Sequence, residues 1–585
     1  MVRMFFDMFN KIKKGYRDVG FFFLAVFAII MALLVIFILY PIVVVTIEAF
    51  TGRSGFSFNN FLLWWSNPLY RQSMFNTLML ASIVVLTTSL VALPVSYLMT
   101  RYDFPGKNIF YVLLILGMIS PSFVGALGLR FVFDPKGMVN MFLMQNGIIN
   151  SPIPFLTLKT SFQEYLGIHW GVVFIETIHL FPLMFLNVVA ALESIDPSLE
   201  EEAKTLGASG LTLFRKIIFQ LMAPGYLAGI ILVFIYVVSD TGTPLILNYQ
   251  TTMAIQAYLV VLYAGFHYSP MGYVFAVIMV IISIVCIFLN RKYLSLKRFA
   301  SILRGAAVRK IPVIRGWKRI AIYIFLGLIS LAGLLPLVGL FLWAFSKYWG
   351  MTVLPTEWTL ENIFAVFSPR YVHYLWNSLT YSFVAMGVGI VLGTLIGFIM
   401  ARKEFLGKDA LDYLSMLPLM VPGIIVGIGY WRVWSGTPLD PFTATTIILP
   451  ICISFRKLPY AVRAGYAGML QIPKDYEEAA VSLGASWRKT LTKITLPILL
   501  PTVFAGGLLT FINAFLELST TQILAEDPSG GTLPYAIFME FLGHGAVRLE
   551  FAAAIGVVLV IVEVAILVIL YKFFGFKMGT MFRTV

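Results

Sequence analysis

Long apolar runs separated by short polar stretches dominate the hydrophobic pattern of this chain. Each run is about 20 residues long, the length that crosses the hydrocarbon core of a bilayer as a helix. Because the runs are continuous rather than short and alternating, they favour helices over a transmembrane barrel. We therefore predict an all-α membrane protein with about twelve spans, at 20–47, 75–99, 109–133, 171–193, 224–246, 272–290, 320–345, 377–400, 410–431, 446–467, 498–520 and 551–574.

Composition agrees with a membrane-embedded chain. Hydrophobic residues make up 59% of the 585 residues, against about 45–50% in soluble proteins. Cys286 and Cys452 each fall inside a predicted span without CxxC spacing, so we interpret both as packing residues. The apolar run after Gly20 is too long for a signal-peptide core, and we expect it to be a retained helix.

Basic charge predicts the orientation of the chain. The segment 291–319 carries ten Lys or Arg and no acid, and the two ends of the chain are also basic. Basic segments stay in the cytoplasm, so each half must hold an even number of spans, six and six. We predict a first half at 1–290, a cytoplasmic linker at 291–319 and a second half at 320–585. Topology accounts for the net charge of +14, and no nucleic acid is needed to explain it.

The two halves are internal repeats. The segment that begins at Asn76 recurs from Asn377, an offset of 301 that pairs Arg101 with Arg402 and Pro121 with Pro422. Further on, EEEAKTLGAS at 200–209 recurs as EEAAVSLGAS at 477–486, an offset of 277. The change of offset predicts an insertion in the first half, in the outside loop around 134–170. Both repeats begin on the same side of the membrane, so we predict parallel six-helix repeats.

The repeated phrase predicts a short helix on the protein surface. Acidic residues suit the positive end of a helix, alanine favours helix and leaves a thin face for another protein, and glycine permits a left-handed helix end. Because the phrase occurs at matching positions in both halves, we interpret it as a docking element. The predicted coupling loops are near 195–222 and 472–499.

In the second half the phrase extends to EAAVSLGASWRKTLTKITLP, which resembles the cytoplasmic EAA loop of ABC-importer permeases. The resemblance implies that two separate ATPase subunits dock on these loops. The first half departs from the motif at Glu202, Phe219 and Gln220, so we expect asymmetric docking. The residues implied in ATPase coupling are Glu201, Glu202, Ala203, Gly207, Glu478, Ala479, Ala480, Gly484 and Pro497.

The chain itself carries no motif for nucleotide hydrolysis. No G-x-x-x-x-G-K-[ST] sequence occurs, and the five His form no HxxH or HExxH pair. We therefore predict a transport subunit without catalytic residues, metal site or bound cofactor. ATP and Mg²⁺ would be used by the partner subunits.

Acidic residues inside predicted spans are costly and hence candidates for function. Asp240 and Glu517 pair at the offset of 277, as do Thr243 and Thr520. We consider two roles for these carboxylates: an outer chamber on the substrate path, or helix capping and pairing with a buried base such as Arg456. The candidates for the substrate path are Asp240, Thr243, Glu517, Thr520 and Arg456. Two further residues, Glu176 and His179, lie three apart and either line the pore or shape the helix. We expect Lys457 to extend its amine towards the membrane surface.

Several segments narrow the resemblance to the ferric-iron permeases of ABC importers: SDTGTP from 239, ELSTTQIL from 517 and RKLPYAVRAGYAGMLQIP from 456. This resemblance implies a fused type I importer permease in the bacterial inner membrane, with cytoplasmic termini and a periplasmic or lipid-anchored binding protein. Ferric iron is the implied substrate, and alternating access the implied mechanism. Relatives of this arrangement carry thiamine, aminophosphonates, sugar phosphates or polyamines. The alternative function, from another class of transport protein, is that of a secondary transporter.

Overall fold

The computed structural model describes residues 21–52, 55–118, 120–157, 169–264, 270–296, 312–349, 352–405, 407–525, 528–542 and 548–574. The basic N-terminal segment, residues 297–311 of the predicted linker and the basic C-terminal tail lie outside these residues. Within them the fold is almost wholly helical, and the strands form two short antiparallel hairpins.

Among the residues that the structure describes, the first half has fourteen helices, two strands and three short π or 3₁₀ turns. The turns are Val35–Leu39, Phe155–Thr157 and Phe214–Ile218, and the strands are β1 (Thr51–Gly52) and β2 (Gly55–Phe56). The helices are α1 (Phe21–Leu34), α2 (Tyr40–Ala49), α3 (Asn59–Ser66), α4 (Pro68–Arg101), α5 (Lys107–Leu116), α6 (Ser122–Phe133), α7 (Met138–Gln145), α8 (Trp170–Glu193), α9 (Pro197–Thr205), α10 (Gly210–Leu213), α11 (Phe219–Ser239), α12 (Gly242–Ile246), α13 (Met253–Ala264) and α14 (Met271–Leu296).

The second half follows a similar order, with twelve helices among its described residues. Its turns are Leu491–Thr495 and Pro528–Gly530, and its strands are β3 (Ser346–Tyr348) and β4 (Glu357–Trp358). Its helices are α15 (Trp317–Ala344), α16 (Glu361–Val366), α17 (Val372–Arg402), α18 (Lys408–Met420), α19 (Gly423–Trp434), α20 (Thr445–Gln471), α21 (Lys474–Ser482), α22 (Trp487–Thr490), α23 (Leu496–Phe515), α24 (Thr521–Leu524), α25 (Leu533–Leu542) and α26 (Leu549–Phe574).

The spans confirm an all-α membrane protein but correct two of the predicted helices. Among the described residues, nine helices are long and apolar enough to cross a membrane, or ten if the bent pair α18–α19 counts as one span. The predicted continuous spans at 109–133 and 410–431 are wrong. Each is a broken pair, α5–α6 and α18–α19, and the second pair bends by 107°. The paired prolines Pro121 and Pro422 stand at the breaks, because proline cannot donate the helical hydrogen bond.

Two further predicted spans end earlier than expected. The helices of the 224–246 and 498–520 runs stop at Ser239 and Phe515, and a short separate helix follows each. The predicted insertion is confirmed, because α6 ends at 133 and α8 begins only at 170, whereas α19 ends at 434 and α20 begins at 445.

Each half is built around one three-helix core. In the first half α4, α8 and α11 pack together, and in the second half α17, α20 and α23 do so. Small residues allow close contact, since a Cβ added at Gly393 would lie 2.7 Å from the Ala461 backbone, and one at Gly397 would lie 2.6 Å from Gly465.

The two halves exchange their first spans. Helix α15 of the second half packs on α6 of the first, and α2 of the first half packs on α19 of the second. The two crossings use equivalent residues, a glycine of one half against a proline of the other. A Cβ added at Gly128 would lie 1.8 Å from the Pro336 carbonyl oxygen, and one added at Gly429 would lie 2.8 Å from the Pro41 carbonyl oxygen. One apolar core therefore runs through both halves.

Candidate functional site

Two short surface helices carry the repeated phrase, α9 in the first half and α21 in the second. Helix α9 begins after Asp196, whose side chain accepts a hydrogen bond from the Ser198 backbone N–H at 2.9 Å, and has Pro197 in its first turn. Helix α21 begins after Pro473, with Asp475 and Glu477 in its first turn, where acidic residues suit the helix dipole.

Glycine ends both helices as predicted. Gly207 has φ +87° and Gly484 has φ +83°, the left-handed region that favours glycine. In the first half the Ala208 N–H donates to the Ala203 carbonyl at 2.9 Å, and in the second the Ala485 N–H donates to the Ala480 carbonyl at 3.0 Å. These are the bonds of a Schellman motif, so each helix ends in a defined turn.

Of the three motif alanines, Ala479 is exposed and offers the outer face that the sequence predicts, whereas Ala203 and Ala480 do not. Ala203 and Ala480 are buried against their own protein, so their small side chains bring each helix close to the membrane core. The side chains that point outward include Leu206 and Leu483, which are 88% and 89% exposed. The other exposed motif residues are Glu201, Glu202, Glu478, Ala479 and Pro497.

An arginine ties each surface helix to a span, although no sequence motif marks these arginines as part of a site. Arg101, the last residue of α4, lies 2.5 Å from Glu200 Oε1, and both side chains are buried. Arg402, the last residue of α17, lies 3.1 Å from Glu477 Oε2. Arg101 and Arg402 match at the repeat offset of 301, and Glu200 and Glu477 match at the offset of 277. The internal repeat was therefore the sequence signal for these two ion pairs.

The motif departures in the first half do not change the local backbone. A π-helical turn precedes the long helix in each half, at Phe214–Ile218 and Leu491–Thr495. Pro497 occupies the first turn of α23, where proline is accepted, and Gln220 holds the same place in α11. The predicted asymmetry of docking therefore rests on side chains rather than on helix geometry, and it stays a prediction.

A cavity of about 260 Å³ lies between the halves. Its first-half wall comes from α8, α11 and the start of α6, and its second-half wall from α20, α23, α26 and the residues after α23. The polar residues of the lining are Ser122, Glu176, His179, Tyr236, Ser239, Asp240, Thr241, Arg456, Lys457, Asn513, Glu517, Ser519 and Glu563. Three predicted candidates for the substrate path, Asp240, Glu517 and Arg456, are thus brought together.

Glu517 is the centre of a buried ion cluster in this cavity. Its carboxylate contacts the Arg456 guanidinium and lies 2.6 Å from Lys457 Nζ. The prediction that Lys457 extends towards the membrane surface is therefore wrong. It fails because α23 ends at Phe515, which leaves Glu517 beside Lys457 rather than further along a continuous helix. Gly423 makes room for the cluster, since a Cβ there would lie 2.4 Å from the Arg456 guanidinium.

Asp240 and Glu517 also hold the chain where their long helices end. Asp240 Oδ1 accepts from the Gly242 N–H at 3.0 Å, and Glu517 Oε1 accepts from the Thr520 N–H at 3.1 Å. The structural alternative predicts helix capping and pairing with Arg456. Both carboxylates cap, Glu517 also pairs with Arg456, and both line the cavity. Thr243 and Thr520 are buried and are not part of the cavity lining, so the predicted hydroxyl-lined chamber is not formed by them.

Polar contacts join the halves around the cavity. The Tyr236 and Tyr460 hydroxyls are 3.0 Å apart, and the Thr241 hydroxyl donates to Gln522 Oε1 at 2.9 Å. Glu176 and His179 both line the cavity on the first-half side. Across the described residues, no three His, Cys, Asp or Glu side chains are grouped closely enough to hold a metal ion. The cavity thus offers charged and polar walls from both halves rather than a closed metal cage.

The fold and these sites define a membrane permease with two like halves. Segments 92–298 and 393–580 match the family described as the binding-protein-dependent transport system inner membrane component. The matches cover more than half of the chain, so the protein belongs to this family.

Three relatives place the chain among transport permeases rather than enzymes. FbpB 1 of Haemophilus influenzae, provisionally named a ferric transport system permease, is 28% identical over 90% of this chain and 81% of its own length. The ferric transport system permease FbpB of Actinobacillus pleuropneumoniae is 26% identical over 96% of this chain and 79% of its own. The spermidine/putrescine permease PotB of H. influenzae is 29% identical over 35% of this chain and 71% of its own.

Proposed function

We propose that this chain is the fused permease of an ATP-driven type I importer that moves ferric iron into the bacterial cytoplasm. A periplasmic or lipid-anchored binding protein delivers the iron. Two ATPase subunits dock on α9 and α21 and use ATP and Mg²⁺. The N- and C-termini lie in the cytoplasm, on the same side of the membrane as α9 and α21, which we call the coupling helices.

One observation carries the ATP-driven part of this proposal. Both coupling helices present an exposed leucine, Leu206 or Leu483, and each is held to a span by a buried arginine. Exposed apolar side chains on a surface helix mark protein interfaces. A rigid link from that interface to α4 and α17 gives ATPase motion a path to the three-helix cores.

The position of the cavity supports alternating access as the mechanism. It is enclosed by both halves, and its walls meet through side-chain hydrogen bonds such as Tyr236 to Tyr460. Rotation of one half against the other would break these bonds and open the cavity, as in transporters whose repeats meet at a central site. Iron is supported by the names of the relatives that cover nearly the whole chain.

Uptake of ⁵⁵Fe³⁺ tests the assigned substrate. The chain is expressed with its cognate ATPase and binding protein in cells without their own high-affinity iron import. We expect iron accumulation that is lost when Gly484 is replaced by Val. A complete importer that accumulates spermidine or molybdate but no iron would contradict the substrate assignment and leave the importer class standing.

A further inference from the structure

Glu563 is a buried carboxyl near the middle of a membrane span. It lies on α26, a 26-residue helix long enough to cross the bilayer, and its exposed fraction is only 4%. Its side chain lines the central cavity. Among the described residues, its Oε2 atom has no hydrogen-bond partner. Carboxyls at such depth are costly, and they occur where a cavity or a substrate path needs them.

The charged groups around Glu517 and Asp240 already have partners. Arg456 and Lys457 both contact Glu517, and Asp240 accepts backbone hydrogen bonds from Gly242 and Thr243. Glu176, on the first-half wall, has one oxygen without a hydrogen-bond partner, as Glu563 does, but it also interacts with the Asp240 side chain. The structural roles that explain Arg456, Lys457, Glu517 and Asp240 do not extend to Glu563.

The repeat shows that the shared fold does not need a carboxyl here. Helices α14 and α26 hold the same place in the two halves and are equally long, and their starts at Met271 and Leu549 give a local offset of 278. At this offset Glu563 matches Val285. The second half thus has a carboxyl that reaches the cavity where the first half has an apolar side chain.

We propose that Glu563 contacts the cargo and selects for a cation as it passes through the central cavity. This inference rests on the proposed function, because it requires that the cavity is the transport path. A carboxylate oxygen is a ligand that hard cations accept. Transporters built from repeats bind their cargo at the interface of the repeats, and this cavity lies between the two halves. Glu563 then supplies to the cargo the bond that it lacks within the protein.

Proteoliposomes that contain the whole importer test this assignment. The cargoes are ⁵⁵Fe³⁺ and spermidine as cations and molybdate as an anion, each offered with internal ATP and the binding protein. The variants are Glu563→Gln, Glu563→Asp and the control Glu550→Gln, which removes a carboxyl from the first turn of the same helix. Uptake and ATPase stimulation by the binding protein are both measured per assembled complex.

We expect Glu563→Gln to lower cation uptake by about tenfold, the value of one charged hydrogen bond. ATPase stimulation should persist, Glu563→Asp should recover part of the uptake, and Glu550→Gln should transport normally. Normal uptake by Glu563→Gln would overturn the inference, and so would a joint loss of uptake and ATPase stimulation, which indicates a structural role.

The cargo panel separates this inference from the proposed function. If the wild type takes up spermidine and no iron, the iron assignment fails while Glu563 is tested on spermidine in the same way. If the wild type takes up molybdate alone, the cation selectivity of Glu563 is also refuted.

Discussion

The Arg101 guanidinium lies 2.5 Å from Glu200 Oε1, and this buried pair joins the end of span α4 to the surface helix α9. Removing one partner of a buried ion pair leaves an uncompensated charge, which costs about 3–5 kcal/mol. We expect Arg101→Met to destabilise the permease by this amount. Arg402→Met should cost less, because its partner Glu477 is 21% exposed and also accepts a hydrogen bond from Thr495.

Thermal unfolding of the purified permease in detergent measures this difference. The matched control is Arg432→Met, which breaks the more exposed pair with Glu48 and should cost only about 0–1 kcal/mol. A melting temperature for Arg101→Met equal to that of the control would contradict a structural role for the buried pair.

A second prediction concerns the glycines that end the coupling helices. Gly484→Val forces a β-branched residue into the left-handed region, at a cost of about 1–2 kcal/mol or more. We expect it to abolish ATPase stimulation by the binding protein, and Gly207→Val to have a milder effect because the first-half motif is incomplete. Gly387→Val is the control, since a Cβ there meets nothing within 4 Å. Equal losses at Gly484 and Gly207 would rule out the asymmetry.

A third prediction separates the two cavity carboxylates. Glu517→Gln leaves Arg456 and Lys457 without their carboxylate, so we expect much less folded protein in the membrane. Asp240→Asn keeps a side chain that caps a helix well and should assemble normally. The amount of permease that co-purifies with the ATPase measures both effects. Full assembly of Glu517→Gln would show that the ion cluster is not needed for folding.

A fourth prediction tests the crossings between halves. A Cβ at Gly128 would lie 1.8 Å from the Pro336 oxygen, whereas one at Gly429 would lie 2.8 Å from the Pro41 oxygen. Overpacking costs about 1–3 kcal/mol, so Gly128→Ala should lower the melting temperature more than Gly429→Ala. Gly327→Ala, with open space around its Cβ, should have little effect. The reverse order for the first two variants would argue against these crossings.

The features of the fold that depend on local chemistry or on the internal repeat could be predicted from the sequence. The ends of the coupling helices were predictable because Gly207 and Gly484 act through bonds to residues a few positions away. The broken helices were not, because Pro94 and Pro182 stand inside continuous helices, so that Pro121 and Pro422 alone do not indicate a break.

The site could be predicted only in part, because the side chains that contact each other lie far apart along the chain. Arg101 and Glu200 are 99 residues apart, and neither position alone indicates its partner. The contact of Lys457 with Glu517 depends on the end of α23 at Phe515, which the apolar run 498–520 does not indicate. Glu563 lies inside a continuous apolar run, and its importance depends on a cavity formed by both halves.

Transport by the purified importer in proteoliposomes tests the central claim most directly. The permease, its ATPase and its binding protein are reconstituted, and ⁵⁵Fe³⁺ uptake is measured with ATP, without ATP, and with an imposed proton or sodium gradient alone. We predict uptake that requires both ATP and the binding protein and that Gly484→Val abolishes. Uptake driven by the ion gradient without ATP would contradict this account and identify a secondary transporter.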